Sequence, residues 1–189
     1  MQEIMKLGAK LLLICLVSAS LLAVTNEMTK GPIQQQRDMA SQAARQEVLA
    51  TAEEFVPVDE ATLAEIQSTY STVVEAFVGK AGGADVGYVI KTTPGGFGGA
   101  VEVITGIDVD GKLTGVRIGS HNETPGLGGI ITTEGFYGQY AGMVAGEIGV
   151  SKIAKSDTEI KAIAGATISS RAVTSGVNEA IGAYKALNN

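Results

Sequence analysis

The sequence is poor in the side chains that bind metals and close disulfides. It has one cysteine, Cys15, one histidine, His121, and no tryptophan. A single cysteine excludes an intrachain disulfide, a CxxC redox pair and a cysteine-ligated iron–sulfur cluster. A single histidine excludes a multi-histidine metal site, or a haem with two histidine ligands, built from this chain alone. Any redox chemistry must therefore use a cofactor that needs few side-chain ligands, and an organic cofactor meets that condition.

Basic residues are outnumbered by acidic ones, and the sequence lacks both a dinucleotide-binding motif and a hydrolase motif. The chain has 14 Lys and Arg against 20 Asp and Glu, a formal net charge of -6, and no basic run interleaved with aromatic residues. Binding to a polyanion needs such a basic patch, so we expect no nucleic-acid partner. No GxGxxG joins a predicted strand to a helix and no GxSxG is present, which disfavours binding of NAD by this chain and a hydrolase built around His121.

One long apolar run lies near the N-terminus. Residues 11–26 carry no charge. If Lys10 extends towards the lipid headgroups, a helix from Ile4 to Val24 is long enough to cross a bilayer. We therefore predict a transmembrane anchor over residues 1–26. The alternative is a secretory signal cleaved near Ser18-Ala19-Ser20.

The orientation of this anchor follows from its flanking charges. Lys6 and Lys10 lie at its N-terminal side, which by the positive-inside rule places Met1 in the cytoplasm. The residues that follow are then extracytoplasmic, and a cleaved signal would export them as well. We expect the cell membrane as the location of the protein.

The next part of the sequence predicts a linker and two helices. Residues 27–37 are polar, with a break at Gly31-Pro32, and read as a juxtamembrane linker. A helix is predicted from Asp38 to Phe55, followed by Pro57. Asp59 is placed to cap a second helix that reaches Gly79. This second helix is predicted from apolar residues at helical spacing, namely Leu63, Ile66, Tyr70, Val73, Val74 and Phe77.

Residues 81–119 have the pattern of an antiparallel sheet. A strand is predicted at about Val86–Lys91, followed by a glycine-rich loop, 93–99, that could approach a ligand or be only a flexible turn. Two β-rich runs, Val101–Val109 and Lys112–Gly119, flank Asp110-Gly111, which predicts a hairpin with a type I′ turn. Alternation along the first run predicts one buried face and one partly solvated face.

The C-terminal part predicts two more helices. Glu134–Glu147 has apolar residues at roughly helical spacing despite three glycines. A polar connection, 152–161, leads to an amphipathic helix capped by Ser169 or Ser170 and running almost to Asn189. The fold class is thus α+β: a transmembrane helix, then a domain of mixed helices and antiparallel sheet over residues 38–189.

Two loops could bind a ligand. Ser120–Gly129 offers a hydroxyl, unhindered backbone N–H groups and Leu127, which could cover a flat ring; an ordinary Pro-Gly turn explains the same residues. His121 and Glu123, taken alone, are expected to be a hydrogen-bonded loop residue and a solvated acid. Ala164–Ser170 places the Thr167 hydroxyl just ahead of a helix, where an anion is favoured.

Arg171 in the first turn of that helix could add a charge-assisted hydrogen bond to a phosphate. The alternative is that Thr167 is merely an outer capping residue. These residues alone leave both possibilities open.

The two loops together resemble those of a known family. Ala164–Ser170 is similar to the motif through which the G subunit of Rnf complexes and the C subunit of Nqr complexes carry FMN. His121–Gly128 resembles the loop that those subunits fold against the flavin. The resemblance implies that Thr167 forms a phosphoester with FMN, installed by a flavin transferase that consumes FAD and releases AMP. The implied cofactor-binding set is Glu123, Thr124, Gly126, Leu127, Gly128, Gly165, Ala166, Thr167, Ile168 and Ser169.

The function implied by the resemblance is electron transfer between membrane subunits of an Rnf-like, ion-translocating ferredoxin:NAD oxidoreductase. The alternatives are a C-type subunit of an Nqr complex and a non-redox binding or assembly module whose loop stays unmodified. The sequence departs from the family motif at two positions. Lys161 replaces an Asp six residues before the acceptor, and Ala164 replaces a Ser or Thr three residues before it.

Overall fold

The computed structural model describes residues 1–188 and divides the chain into two compact units. The first unit is Met1–Gln42, and the second begins at Ala43.

The first unit consists of most of one long helix, α1, which spans Gln2–Val48. Within the described part of the chain this is the one helix that is long and apolar enough to cross a membrane. The apolar side chains of residues 1–40 are exposed. The expected break at Gly31-Pro32 is not seen, because the helix continues through Pro32. A proline removes one intrahelical hydrogen bond, and here good helix formers such as glutamine and alanine follow it.

The second unit starts with the last turn of α1 and corrects both predicted helices of this region. Helix α1 ends at Val48 rather than Phe55, and strand β1 covers Glu54–Pro57. Helix α2 is Glu60–Thr69, and Asp59 caps it, since its carboxylate accepts the N–H of Thr62 at 3.0 Å. The rest of the predicted second helix forms strand β2, Val73–Ala81.

Five strands form one antiparallel sheet in the order β1-β2-β3-β4-β5. Strands β3, β4 and β5 are Ala84–Thr92, Val103–Asp108 and Leu113–Ile118. The predicted hairpin is therefore present, but its turn is not type I′. That turn needs a positive φ at both central residues, whereas only Gly111 has one, 79°. The connection is a turn closed by a glycine bulge, with the Gly111 N–H donating to the Asp108 carbonyl at 3.1 Å.

Short elements connect the sheet to the last helix. They are a 3₁₀ turn at Gly128–Thr132, helix α3 at Glu134–Tyr137, a second 3₁₀ turn at Gly138–Tyr140, and the parallel strands β6, Gly149–Ser151, and β7, Glu159–Lys161. The helix predicted over Glu134–Glu147 is thus wrong beyond Tyr140. Gly142 adopts φ +86°, which ends a helical path.

The last helix, α4, spans Thr167–Leu187 and covers one face of the sheet. Its buried side chains, Val173, Val177 and Ile181 among them, form the main core with residues of the sheet. The other face is partly solvated, as predicted, at Glu102 and Asp108, which are half-buried, but its centre is covered. Val48 and Leu49, at the end of α1, form a second core with Ile104, which is 2% exposed.

Candidate functional site

Four loop segments at one edge of the domain line a cavity of about 470 Å³. They are the connection between β3 and β4, the segment after β5, the connection between β6 and β7, and the segment from β7 into α4. The cavity is lined by Phe97, Glu123, Thr124, Leu127, Gly128, Lys152, Gly165, Ala166, Thr167, Ile168 and Ser169. We call it the Thr167 cavity.

Thr167 is the first residue of α4, and the helix therefore starts earlier than predicted. Ala166 is the N-cap, and it has no side-chain oxygen to accept a hydrogen bond from the first turn. Ser169 and Ser170 lie inside the first turn and do not cap it. The first N–H groups of a helix have no intrahelical acceptor, so an anion in the cavity can accept from them.

The three hydroxyls of this turn have different surroundings. Ser170 is fully buried; its hydroxyl donates to the Ala166 carbonyl at 3.0 Å and accepts the Ile163 N–H at 3.0 Å. Ser169 is 2% exposed and donates to Glu123 at 2.5 Å. Thr167 is half-buried and lines the cavity. Of the three, Thr167 is the hydroxyl that a bound molecule can reach.

Glu123 is buried, contrary to the expectation of a solvated acid. Its carboxylate accepts the Ser169 hydroxyl at 2.5 Å and the Gly98 N–H at 3.0 Å. Burial acts to raise the pKa of Glu123. Hydrogen bonds from Ser169 and from the backbone of Gly98 and Phe97, together with the nearby His121, outweigh burial and hold the pKa below its ordinary value of 4.5. Glu123 is thus a carboxylate, and its hydrogen-bond donors replace water.

Glycines around Glu123 allow the loops to approach each other. A Cβ on Gly96 or Gly128 would collide with the Glu123 carboxylate, and one on Gly98 would collide with the Asn122 carbonyl. The glycine-rich loop therefore lies at the site, as its composition indicated. His121 makes the local hydrogen bond expected of it, since its Nδ1 accepts the Glu123 N–H at 3.2 Å.

The mouth of the Thr167 cavity is apolar. Phe97, Leu127 and Ile168 are 69%, 49% and 57% exposed, respectively, and all three line the cavity. Sequence reasoning identified Leu127 and Ile168 but missed Phe97. Phe97 could have been identified from the sequence, because it is the one aromatic residue within a run of glycines. In such a loop a large side chain does not pack as part of a strand.

The charged residue near Thr167 is not the one predicted. Lys152 lines the Thr167 cavity, whereas Arg171 lines a separate cleft with Tyr70, Ile148 and Glu179. Arg171, four positions after Thr167, lies on nearly the same side of the helix but about 6 Å farther along its axis, away from the helix N-terminus. Arg171 therefore does not line the cavity as predicted for a phosphate ligand, and the cation that does line it is Lys152, which directly follows β6.

The remaining predicted residues fall into two groups. Thr124, Gly128, Gly165 and Ala166 line the cavity, while Gly126 lies in the exposed turn beside it with φ +75°. Neither Lys161 nor Ala164 lines the cavity. The Lys161 backbone is held instead by Gln139, whose side-chain oxygen accepts the Lys161 N–H at 2.7 Å.

The cavity has the properties of a site for a planar ligand with an anionic tail. Its volume of about 470 Å³ is within the usual range of small-molecule sites. Its mouth offers apolar side chains to a ring, and its inner end offers a helix N-terminus without a side-chain cap. An isoalloxazine joined to a phosphate has this shape and chemistry, so the residues present fit FMN.

Comparisons with known proteins agree with this class of site. An FMN-binding domain model matches residues 96–182, which contain all the residues lining the Thr167 cavity, and a model of the RnfG N-terminal region matches residues 1–48. The G subunit of the Na(+)-translocating ferredoxin:NAD(+) oxidoreductase complex of Acetobacterium woodii is 40% identical over 98% of this chain and 93% of its own. The chain belongs to the family of G subunits of Rnf-type ion-translocating oxidoreductase complexes.

Two further relatives extend this result. The G subunit of an ion-translocating oxidoreductase complex from Methanosarcina acetivorans is 33% identical over 95% of this chain and 94% of its own. The solved structure of the C subunit of the Na(+)-translocating NADH-quinone reductase from Parabacteroides distasonis is 18% identical, with a TM-score of 0.62 over 83% of this chain and 96% of that chain. At 18% identity the similarity to this solved structure shows the fold alone, and it confirms the α+β fold class.

Proposed function

We propose that this chain is an electron-transfer subunit of a membrane-bound, ion-translocating ferredoxin:NAD oxidoreductase and carries FMN as a phosphoester on Thr167. The observation that carries the proposal is the contrast among the hydroxyls of the first turn of α4. Ser169 and Ser170 are buried and hydrogen-bonded, while the Thr167 hydroxyl lines the cavity.

The attachment reaction balances without a redox step. The Thr167 oxygen bonds to the phosphorus of the FMN half of FAD and loses its proton. The bond between that phosphorus and the bridging pyrophosphate oxygen breaks, and AMP leaves. A flavin transferase is the partner that carries out this step on the exported chain. An ester holds the flavin on a protein outside the cytoplasm, where a lost cofactor cannot easily be replaced.

Different residues of the Thr167 cavity bind different parts of the flavin. In this proposal the N–H groups at the start of α4 and the Lys152 ammonium bind the phosphate, and Phe97, Leu127 and Ile168, which line the cavity, contact the ring. The flavin supplies one- and two-electron transfer. The protein supplies position and electrostatics, and the neighbouring membrane subunits of the complex supply and accept the electrons.

Intact-mass measurement of the full-length protein, coexpressed with a flavin transferase, tests the covalent link. We expect the wild type to gain the mass of FMN less one water and to fluoresce under ultraviolet light after denaturation. Thr167→Val should lose both signals. Thr158→Val is the matched control, because Thr158 is exposed and lies outside the cavity, and it should retain both.

A second candidate is a binding or assembly module with an unmodified loop. Ala164 and Lys161, where the sequence departs from the family motif, favour this candidate. Unmodified wild-type protein after coexpression with an active transferase would contradict the flavoprotein proposal and support the module.

A further inference from the structure

Glu123 is the one acidic side chain in the lining of the Thr167 cavity, and it is 5% exposed. None of the ion pairs formed by residues 1–188 includes it. A carboxylate at this depth loses most of its hydration, so hydrogen-bond donors of the protein must replace water. Those donors are the Ser169 hydroxyl at 2.5 Å and the Gly98 N–H at 3.0 Å.

The two donors belong to different walls of the cavity. Ser169 lies in the first turn of α4, two residues after Thr167, and Gly98 lies in the loop between β3 and β4, next to Phe97. The Glu123 carboxylate fills the space beside Gly96 and Gly128, because a Cβ on either glycine would collide with it. A single carboxylate therefore joins the wall that carries Thr167 to the wall that carries Phe97.

We propose that Glu123 is a positioning residue that holds these two walls together before the flavin is attached and then lowers the reduction potential of the attached flavin through its fixed negative charge. The second half of this inference rests on the proposed function.

The electrostatic reason is the charge that a flavin gains on reduction. Two-electron reduction adds two electrons from the donor and one or two protons from solvent, and with one proton the ring becomes negative. A buried carboxylate in the cavity wall opposes that charge, because the interaction of like charges is strong where water is excluded. Lys152 has the opposite charge, but it is exposed, so water and salt screen it.

Amide hydrogen exchange on the flavin-free, full-length protein in detergent tests the positioning role. Glu123→Ala removes both hydrogen bonds, so we expect at least severalfold faster exchange in residues 95–99 and 165–170. Glu134→Ala, which removes an exposed acid outside the cavity, is the control and should leave both segments unchanged. Exchange in Glu123→Ala at the wild-type rate would overturn the positioning role.

Spectroelectrochemical titration of the flavinylated protein, above neutral pH, tests the effect on the potential. Glu123→Gln keeps the shape and removes the charge, so we expect a higher potential. A tenfold shift in the ratio of oxidised to reduced flavin corresponds to ~30 mV for a two-electron couple. Ser169→Ala keeps the carboxylate and removes one of its donors, so the potential should move in the opposite direction.

Equal flavin content, verified by intact mass, separates this test from the test of attachment. A potential unchanged in both variants, or shifted in the same direction in both, would overturn the electrostatic role. If Glu123→Gln takes no flavin, Ser169→Ala decides alone by the sign of its shift. If the wild type takes no flavin, the proposed function fails, and hydrogen exchange in the flavin-free protein still decides the positioning role.

Discussion

At the scale of single residues, the site depends on side chains whose roles are set by contacts far apart in sequence. The glycines, Thr124 and Thr167 could be placed at the site from the sequence, because a resemblance identified both loops. The burial of Glu123 could not be predicted, since its donors Ser169 and Gly98 lie 46 and 25 residues away. Lys152 was missed for the same reason: a polar connecting segment gives no sign of which residue turns towards a cavity.

Lys152 and Arg171 provide a matched pair for testing which cation approaches the phosphate. Lys152 lines the Thr167 cavity and Arg171 lines a different cleft. Exposed charge pairs contribute about 0.2–1 kcal/mol, so Lys152→Gln should slow flavin attachment by roughly 1.4- to fivefold. Arg171→Gln should leave the rate unchanged.

The measurement is the time course of in-gel flavin fluorescence with limiting transferase. An equal effect of the two substitutions, or an effect of Arg171→Gln alone, would contradict the placement of these side chains.

At the scale of elements, the hairpin β4–β5 and helix α4 could be predicted because a turn signal and a long amphipathic stripe mark them locally. Strand β2 could not, because Val73 and Phe77 continue the spacing of Leu63 and Ile66 in α2. Instead of continuing α2, this segment pairs with β3 from Val73 to Ala81 and with β1 from Phe77 to Lys80. Strand β1 was not predicted either, because it is too short to show an alternating pattern of apolar and polar residues. It forms by pairing with β2.

The end of α1 packs closely against the sheet at Gly106. A Cβ on Gly106 would collide with the Val48 carbonyl and lie 2.6 Å from Thr114 Oγ1. Thr114 also donates to the Val48 carbonyl. Overpacking of this kind costs about 1–3 kcal/mol, so Gly106→Ala should lower the thermal midpoint of the second unit by several degrees.

Gly135→Ala is the control for this substitution, because nothing lies within 4 Å of a Cβ at that position in α3. Thermal unfolding of the full-length protein, followed by circular dichroism at a wavelength where sheet contributes, makes the comparison. Equal midpoints for the two variants would contradict the close contact of α1 with the sheet.

At the scale of the whole molecule, the described residues form one candidate membrane helix followed by one domain with an FMN-type cavity. This arrangement agrees with the family, because one family model matches the N-terminal region and another matches most of the domain. The orientation rests on Lys6 and Lys10 and stays a prediction. It requires that the domain functions outside the cytoplasm.

A C-terminal reporter that is active only in the cytoplasm tests the orientation. The full-length fusion should be silent, and the same reporter on a chain lacking residues 1–26 should be active. An active full-length fusion would contradict export of the domain.

The site of flavin attachment is the central claim, and trypsin cleavage isolates it. Cleavage after Lys161 and Arg171 releases residues 162–171, a peptide whose hydroxyl residues are Thr167, Ser169 and Ser170. Fragmentation by tandem mass spectrometry distinguishes the three. The burial and hydrogen bonds of the serines predict that the flavin phosphate is on Thr167 alone; flavin on either serine, or an unmodified peptide from protein matured with an active transferase, would contradict the account.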